Sequence, residues 1–260
     1  KTDKDLEILN KNFNQMIDRL KDQQDKLIIN ERHEAWGSLA RKLAHEIKNP
    51  LTPIQLTIDR LKNKYSNELD EKNKENFNEN LMIINNQIKQ IEKLVNEFSD
   101  FARMPKPIFQ KNDLVILIKD NVKLLQELDL TIKIDFIHNN QQLFFDGDKE
   151  QLSRVFLNLI KNSIESIQQK TEKVSDFNKN ITIELNNFDS HISLVINDNG
   201  IGFKNLNNNI KEILNPYFTT KKKGTGLGLS IVNKIINDHN GNIEFISKDD
   251  GAIIKIIFNK

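Results

Sequence analysis

The sequence predicts a multidomain chain, α in its first part and α+β in its second. A helical hairpin should pair with a second copy into a dimeric four-helix bundle, and an α/β two-layer sandwich should follow it. Three observations carry that prediction. Apolar residues recur at spacings of three and four in two long stripes joined by a polar loop. Pro105 and Pro107, in "RMPKP", end the helical pattern. Beyond them, short β-branched runs come in neighbouring pairs between helical stretches, which favours a two-layer sandwich over a doubly wound sheet.

Composition narrows the function classes. The 260 residues include no cysteine, so disulfides, thiolate metal sites and cysteine nucleophiles are excluded. Net charge is +1, so no nucleic-acid partner is expected from bulk electrostatics. Charged residues reach 29% against 37% hydrophobic, a balance suited to long, solvent-washed helices. No apolar run approaches the roughly 18 residues of a membrane helix. The first residue is Lys1 rather than Met, so a fragment of a longer chain is expected.

The elements follow in order. Leu6, Leu9, Phe13, Met16 and Leu20 form a coiled-coil seam within residues 1–30, too short and polar to be a stable lone helix. Residues 31–104 form the hairpin. Its first stripe is Trp36, Ala40, Leu43, Ile47, Leu51, Ile54, Ile58 and Leu61. Its second is Phe77, Leu81, Ile84, Ile88, Ile91, Val95, Phe98 and Ala102. One hairpin cannot bury both stripes, but a dimeric bundle can. Residues 105–260 form the second domain. Strands are expected at "LTIKIDFI", "QLFFD", "NITIELNNF", "HISLVIND", "NIEFIS" and "GAIIKIIF". Helices are expected from about Lys149 to Gln169 and from near Gly226.

The hairpin carries the first candidate site, in "LAHEIKNPLTP". His45 falls roughly opposite the centre of the apolar stripe, with Asn49 and Thr52 on the same outer side. A neutral imidazole is a good nucleophile near neutral pH. Glu46 could hold its productive tautomer and accept its proton. Asn49, one turn on, could orient a water. Pro50 removes a backbone donor and is expected to bend the helix beside this group, as a hinge. Leu56 projects to the same outer side, where it would form part of a docking patch.

The second domain carries the other candidates. Arg154, Asn158 and Asn162 share one helix face, opposite Leu152, Phe156, Leu159, Ile160 and Ile167, with Glu165 near the same edge. Side-chain amides there suit a Mg2+ that also holds phosphate oxygens. In "NDNGIG", Asp198 could accept the exocyclic amine of adenine while Gly200 and Gly202 let the backbone approach. In "NPYFTTKKKGTGLGLSIV", Gly224, Gly226 and Gly228 lead into a helix, and their amides make an anion site beside Lys221, Lys222 and Lys223. The stretch from Leu206 to Lys223 is expected to be a lid over triphosphate.

The motifs "HEIKNPLTP", "NLIKNSIES", "DNGIG", "PYFTTK" and "GTGLGL" stand in the order of the H, N, first G, F and second G boxes of bacterial sensor histidine kinases. The chain resembles that family over about residues 30–260, and "EAWGSLARKLAHEIKNPLTPIQL" resembles its NtrY type. "DLEILNKNFNQMIDRL" is similar to the second helix of a HAMP signal-relay module. The resemblance implies a phosphotransfer hairpin and an ATP-binding domain of the GHKL type. It implies His45 as phosphoacceptor, Glu46 as its acid/base partner and Asn49 in a phosphatase reaction. It implies ATP and Mg2+ as cofactors, with Asn162 and Asn158 toward the metal and Asp198 toward adenine. Lys161, Gly200, Gly202, Phe218, Thr219, Thr220, Lys221, Gly224, Thr225, Gly226, Leu227 and Gly228 would shape the nucleotide pocket. The implied partners are a second copy and the receiver domain of a response regulator. The implied location is the cytoplasmic side of a bacterial inner membrane, anchored through segments upstream. Ser163 departs from the alanine common after the second Asn, and Asn215 from the acid common before Pro-Tyr-Phe. Two rivals are a GHKL ATP-binding module acting as a conformational clamp and an inactive signalling scaffold. The phosphoacceptor motif argues against the first, and the intact Asn158, Asn162 and Asp198 argue against the second.

Overall fold

The structure is a computed structural model. It describes residue 16 and residues 42–66, 68–102, 104–139, 142–174, 176–203, 210–216, 218–219, 221 and 224–260. The coiled-coil seam of residues 1–30, Met16 apart, lies outside the described residues, as do Trp36 and Ala40. The chain divides into two compact units, Lys1–Met104 and Pro105–Lys260.

The first unit is a helical hairpin. Helix α1 covers residues 42–65 and α2 covers Glu71–Ala102. Helix α1 runs without interruption through Pro50 and Pro53. Neither proline has an N–H for the carbonyls of Glu46 and Asn49, four residues back. The Thr57 hydroxyl donates to the Pro53 carbonyl at 2.8 Å, a back-bond that tends to curve a helix.

The apolar stripe divides into two lines. Leu51 and Ile58 pack against Leu81 and Ile88, with Phe77 beside them. Leu51, Ile58, Leu81 and Ile88 are each less than a tenth exposed, whereas Ile47, Ile54, Ile84 and Ile91 remain 40–45% exposed. Ala44, outside the predicted stripe, is buried, while Leu43 is exposed. Burial of each large side chain in the inner line contributes about 1.5–3 kcal/mol. Across the hairpin Gln55 Nε2 donates to Asn85 Oδ1 at 3.3 Å, and at the loop the Ser66 hydroxyl donates to Asn78 Oδ1 at 3.0 Å.

The second unit is a two-layer sandwich. Its elements are β1 (Gln110–Asp113), α3 (Leu114–Gln126), β2 (Lys133–His138), β3 (Phe144–Gly147), α4 (Lys149–Thr171), β4 (Asn180–Asn187), β5 (His191–Asp198), a 3-10 turn (Ile210–Leu214), α5 (Gly228–Asp238), β6 (Gly241–Ser247) and β7 (Ala252–Asn259). The main sheet has the order β2-β4-β5-β7-β6, with β2 parallel to β4 and the other pairs antiparallel. Strand β3 pairs with β1 in a separate two-stranded ribbon, so the neighbouring runs "LTIKIDFI" and "QLFFD" are not partners.

The register explains the core. Ile183, Ile196, Ile254 and Phe245 form one row across the sheet, and Leu185, Leu194, Ile256 and Ile243 the next. All eight are buried, under helices α3, α4 and α5. The outer positions carry Glu184, Lys255 and Glu244, so that face is the wetter one. The third row is Ile181, Asp198, Ala252 and Ser247, which brings Asp198 to the core side of its strand.

Two elements carry no assignment in the sequence reading. Residues 110–126 form β1 and α3. Asp113 caps α3, its carboxylate accepting from the Val115 N–H at 2.9 Å. Leu114, Val115, Leu117, Ile118 and Leu125 face inward.

Candidate functional site

On α1 the imidazole of His45 is exposed, as are Glu46 and Asn49. The three share a rigid helix whose opposite side is held by Leu51 and Ile58. Leu56 is more than half exposed on the same helix.

In the second unit α4 gathers most of the remaining candidates. Its N-terminus is capped by Asp148, whose carboxylate accepts from the N–H groups of Gln151 at 3.0 Å and Ile108 at 2.8 Å. Burial alone would raise that carboxyl, but these N–H groups and that of Glu150 outweigh it and hold it below the usual range. The buried His239 accepts the Asp148 N–H on Nε2 at 2.9 Å, so its Nδ1 donates to the Ile235 carbonyl at 2.8 Å. The buried face of α4 includes Leu152, Phe156, Leu159, Ile160 and Ile167. Asn158 and Asn162 lie at its edge, half-buried, and Lys161 is exposed.

Asp198 reaches α4 from the sheet. The Ser163 hydroxyl donates to its Oδ2 at 3.1 Å, and the Gly200 N–H donates to its Oδ1 at 3.0 Å. Burial pushes the Asp198 carboxyl above its ordinary value, against the hydrogen bonds from Gly200 and Ser163, that of the Ala252 N–H, and the charge of Lys248. Ser163, where the family resemblance leads one to expect alanine, therefore supplies one of the donors to this carboxylate. Gly200 is required by space: a Cβ there would lie 2.7 Å from the Ser166 backbone carbon. Ser166 in turn accepts the Ile201 N–H on its hydroxyl at 3.1 Å.

The β6–β7 turn supports the same loop from below. Gly251 has φ 101°, and a Cβ there would lie 2.7 Å from both the Asp198 carbonyl carbon and the Asn199 Cα. Lys170 ties the two loops together, donating to the Asn199 carbonyl at 2.8 Å and pairing with Asp250. These residues are absent from the sequence reading. The "DG" of "KDDGA" was a turn signal, but nothing in it said which loop the turn would touch.

The glycine-rich stretch approaches α4 from the other side. A methyl on Gly228 would sit 3.2 Å from Asn158 Oδ1. Leu227 is fully buried and precedes α5 with no side-chain cap, so the first amides of α5 have no such acceptor. The Lys221 N–H donates to the Thr219 hydroxyl at 3.1 Å, and the Gly224 N–H to the Lys221 carbonyl at 3.3 Å. Phe218 is half-buried, its N–H donating to the Asn215 carbonyl at 3.2 Å. Thr225 and Gly226 are half-buried between them. Residues 206–209 and 217 of the expected lid, with Thr220, Lys222 and Lys223, lie outside the described residues.

The fit for a divalent cation can be tested on a stand-in. Lys221 Nζ donates to Asn162 Oδ1 at 3.0 Å and pairs with the Glu165 carboxylate. The oxygens at this edge of α4 therefore already hold one positive charge. Among the described residues no cluster of three His, Cys, Asp or Glu side chains could hold a metal alone. The site fits a cation that brings most of its oxygen ligands with it, as Mg2+ does on a nucleotide. Asn158, Asn162, Asp198, Gly200 and Gly228 are thus brought to one edge of one helix, and His45, Glu46 and Asn49 lie in the other unit.

Two families of known proteins match parts of the chain. Residues 147–260 match the family described as "Histidine kinase-, DNA gyrase B-, and HSP90-like ATPase", and residues 35–107 match "His Kinase A (phospho-acceptor) domain". A "Putative sensor histidine kinase NtrY-like" of Rickettsia prowazekii is 40% identical over 95% of this chain and 40% of its own length. The "Nitrogen regulation protein NtrY" of Azorhizobium caulinodans is 35% identical over 87% of this chain and 29% of its own. The chain thus spans two fifths or less of these curated relatives. Among solved structures, histidine kinase ThkA in complex with response regulator protein TrrA aligns with TM-score 0.60 and 26% identity, covering 89% of this chain and 64% of that one. Among the described residues no helix is long and apolar enough to cross a membrane.

Proposed function

We propose, for a chain that belongs to the NtrY-like sensor histidine kinases, that it uses ATP to phosphorylate its own His45 and passes the phosphoryl group to an aspartate on a response regulator. The observation that supports this reading most is the pairing, in one chain, of an exposed imidazole on a packed hairpin with a buried carboxylate, Asp198, that meets α4 near its two edge amides, Asn158 and Asn162. Neither half is sufficient alone.

Asp198 accepts the adenine amine and positions the base against the Gly200 loop. The glycine-rich stretch ahead of α5 presents backbone amides to the phosphates. Asn162 and Asn158 would hold Mg2+, which when bound neutralises charge on the phosphate oxygens. A His45 ring nitrogen then attacks the γ-phosphorus. A nitrogen–phosphorus bond forms, the bond to the ADP oxygen breaks, and Glu46 accepts the ring proton. Catalysis is chiefly positioning and charge neutralisation. In a separate hydrolysis, Asn49 orients the water that attacks the regulator's aspartyl phosphate, breaking its phosphorus–oxygen bond and releasing inorganic phosphate.

We further assign residues 1–30 to a HAMP helix and coiled-coil linker, 31–104 to dimerisation and phosphotransfer, and 105–260 to ATP binding. The outer line of Ile47, Ile54, Ile84 and Ile91 is the face that a second copy covers. The full-length protein is a bacterial inner-membrane sensor, and this chain is its cytoplasmic portion. The phosphotransfer step is tested by labelling the chain with γ-labelled ATP, removing nucleotide, and adding an isolated receiver domain. Label should leave the chain and appear on the receiver within minutes. Label that stays on the chain with every receiver offered would count against a relay.

A further inference from the structure

Glu165 stands one turn beyond Asn162 on α4, and the two side chains meet the same ammonium. Lys221 Nζ donates to Asn162 Oδ1 at 3.0 Å and to the Glu165 carboxylate beside it. Lys221 and Glu165 are 28% and 34% exposed, so the pair is partly withdrawn from water. A lone exposed ion pair contributes little. This one includes a neutral amide oxygen as a further acceptor, aimed at the same point. One carboxylate and one amide oxygen are hard donors of the type Mg2+ takes. An ammonium and a divalent ion cannot share that point.

We propose that Asn162 and Glu165 together form the cation seat of the nucleotide pocket, and that Lys221 fills it as an internal counter-ion until a metal–nucleotide complex displaces it. The inference rests on the nucleotide site proposed above and adds Glu165 and a competitor to it. Even with Asn158, these side chains offer too few oxygens for Mg2+ alone, so the nucleotide must bring the remaining oxygens. Lys221 thereby keeps the seat neutral while no nucleotide is present. It also sets a cost on entry: the incoming divalent ion must break the Lys221–Glu165 pair.

Removing each partner has an opposite consequence. In Lys221→Met the Glu165 carboxylate is uncompensated, so metal-free ADP meets a like charge and binds more weakly. The Mg2+ complex of ADP then meets no competitor. The ratio of the ADP Kd in EDTA to that in Mg2+ should rise about tenfold, within the usual span of coupling between two ligands. In Glu165→Gln the seat loses its charge, and the same ratio should fall by about as much. Both substitutions lie at the partly exposed edge of α4, away from the core. Titration calorimetry on the whole 260-residue chain reads the ratio without any turnover. Opposite shifts are the expected result. Shifts of the same sign, or ratios in both variants within about twofold of the unsubstituted chain, would overturn the proposal. Failure of the unsubstituted chain to bind ADP in either condition would instead remove the nucleotide site itself, and this inference with it.

Discussion

At the scale of single residues, Asp198 carries the most information. Its strand register places it on the core row, where Ser163 and Gly200 engage its two oxygens. Burial raises its pKa, so the native state holds that proton more tightly than the unfolded chain does. Between the ordinary carboxylate value and the raised one, this group therefore subtracts stability as pH rises. Asp148 has the opposite sign: its lowered pKa gives stability above the ordinary value that is lost as pH falls. Subtracting the Tm-against-pH curve of Asp198→Asn from that of the unsubstituted chain should isolate the first dependence. A flat difference would contradict the assignment. ATP affinity should follow the ionised form, rising as pH increases through the Asp198 transition and falling by about 1–3 kcal/mol in Asp198→Asn. Gly251→Ala tests the support from below. Its φ of 101° and the closeness of Asp198 should make the variant weaken nucleotide binding, with about 1–3 kcal/mol of strain. Unchanged affinity in calorimetry would show that the β6–β7 turn does not hold the loop.

At the scale of elements, the hairpin separates two roles along what the sequence presents as one stripe. Ile88 lies on the inner line and Ile84 on the outer. Ile88→Ala should cost about 2–5 kcal/mol of hairpin stability. Ile84→Ala should leave the single hairpin nearly intact and weaken self-association instead, which sedimentation can separate from thermal melting. Equal effects on both measurements would mean that the two lines are not distinct. Periodicity made the two helices and their apolar sides legible, because a 3–4 spacing survives without knowledge of any partner. It could not divide inner from outer positions, since Ile84 and Ile88 are the same residue type and only tertiary contact distinguishes them. Strands β4 to β7 were legible for a similar reason: strict alternation marks a half-buried sheet. Residues 110–126 were not, because β1 is only four residues long and α3 is dense in Val, Ile and Leu. The parallel pairing of β2 with β4 had no local signal either, since α4 and β3 intervene. In the site, Asp198, Asn158 and Asn162 could be read from motifs. Ser166, Gly251 and Lys170 could not, because each acts by touching a loop distant in sequence.

At the scale of the whole molecule, the account needs two units to cooperate. One carries the imidazole, and the other carries the proposed nucleotide site. An Asn162→Asp chain should lose its own labelling yet accept phosphate when mixed with a His45→Gln chain, provided transfer runs between the two copies of a dimer. Silence of the mixture, with both parents folded and dimeric, would place transfer within one chain. Asn49→Ala should retain kinase activity while slowing regulator dephosphorylation by about tenfold or more, in keeping with the contribution of a positioned catalytic group. Equal dephosphorylation rates would remove Asn49 from that step. The most direct measurement follows the γ-phosphoryl group itself. Incubated with γ-labelled ATP and Mg2+, the chain should acquire base-stable, acid-labile label that mass spectrometry places on His45, and His45→Gln should acquire none. Label that persists in His45→Gln, or that maps to a hydroxyl side chain, would contradict the account.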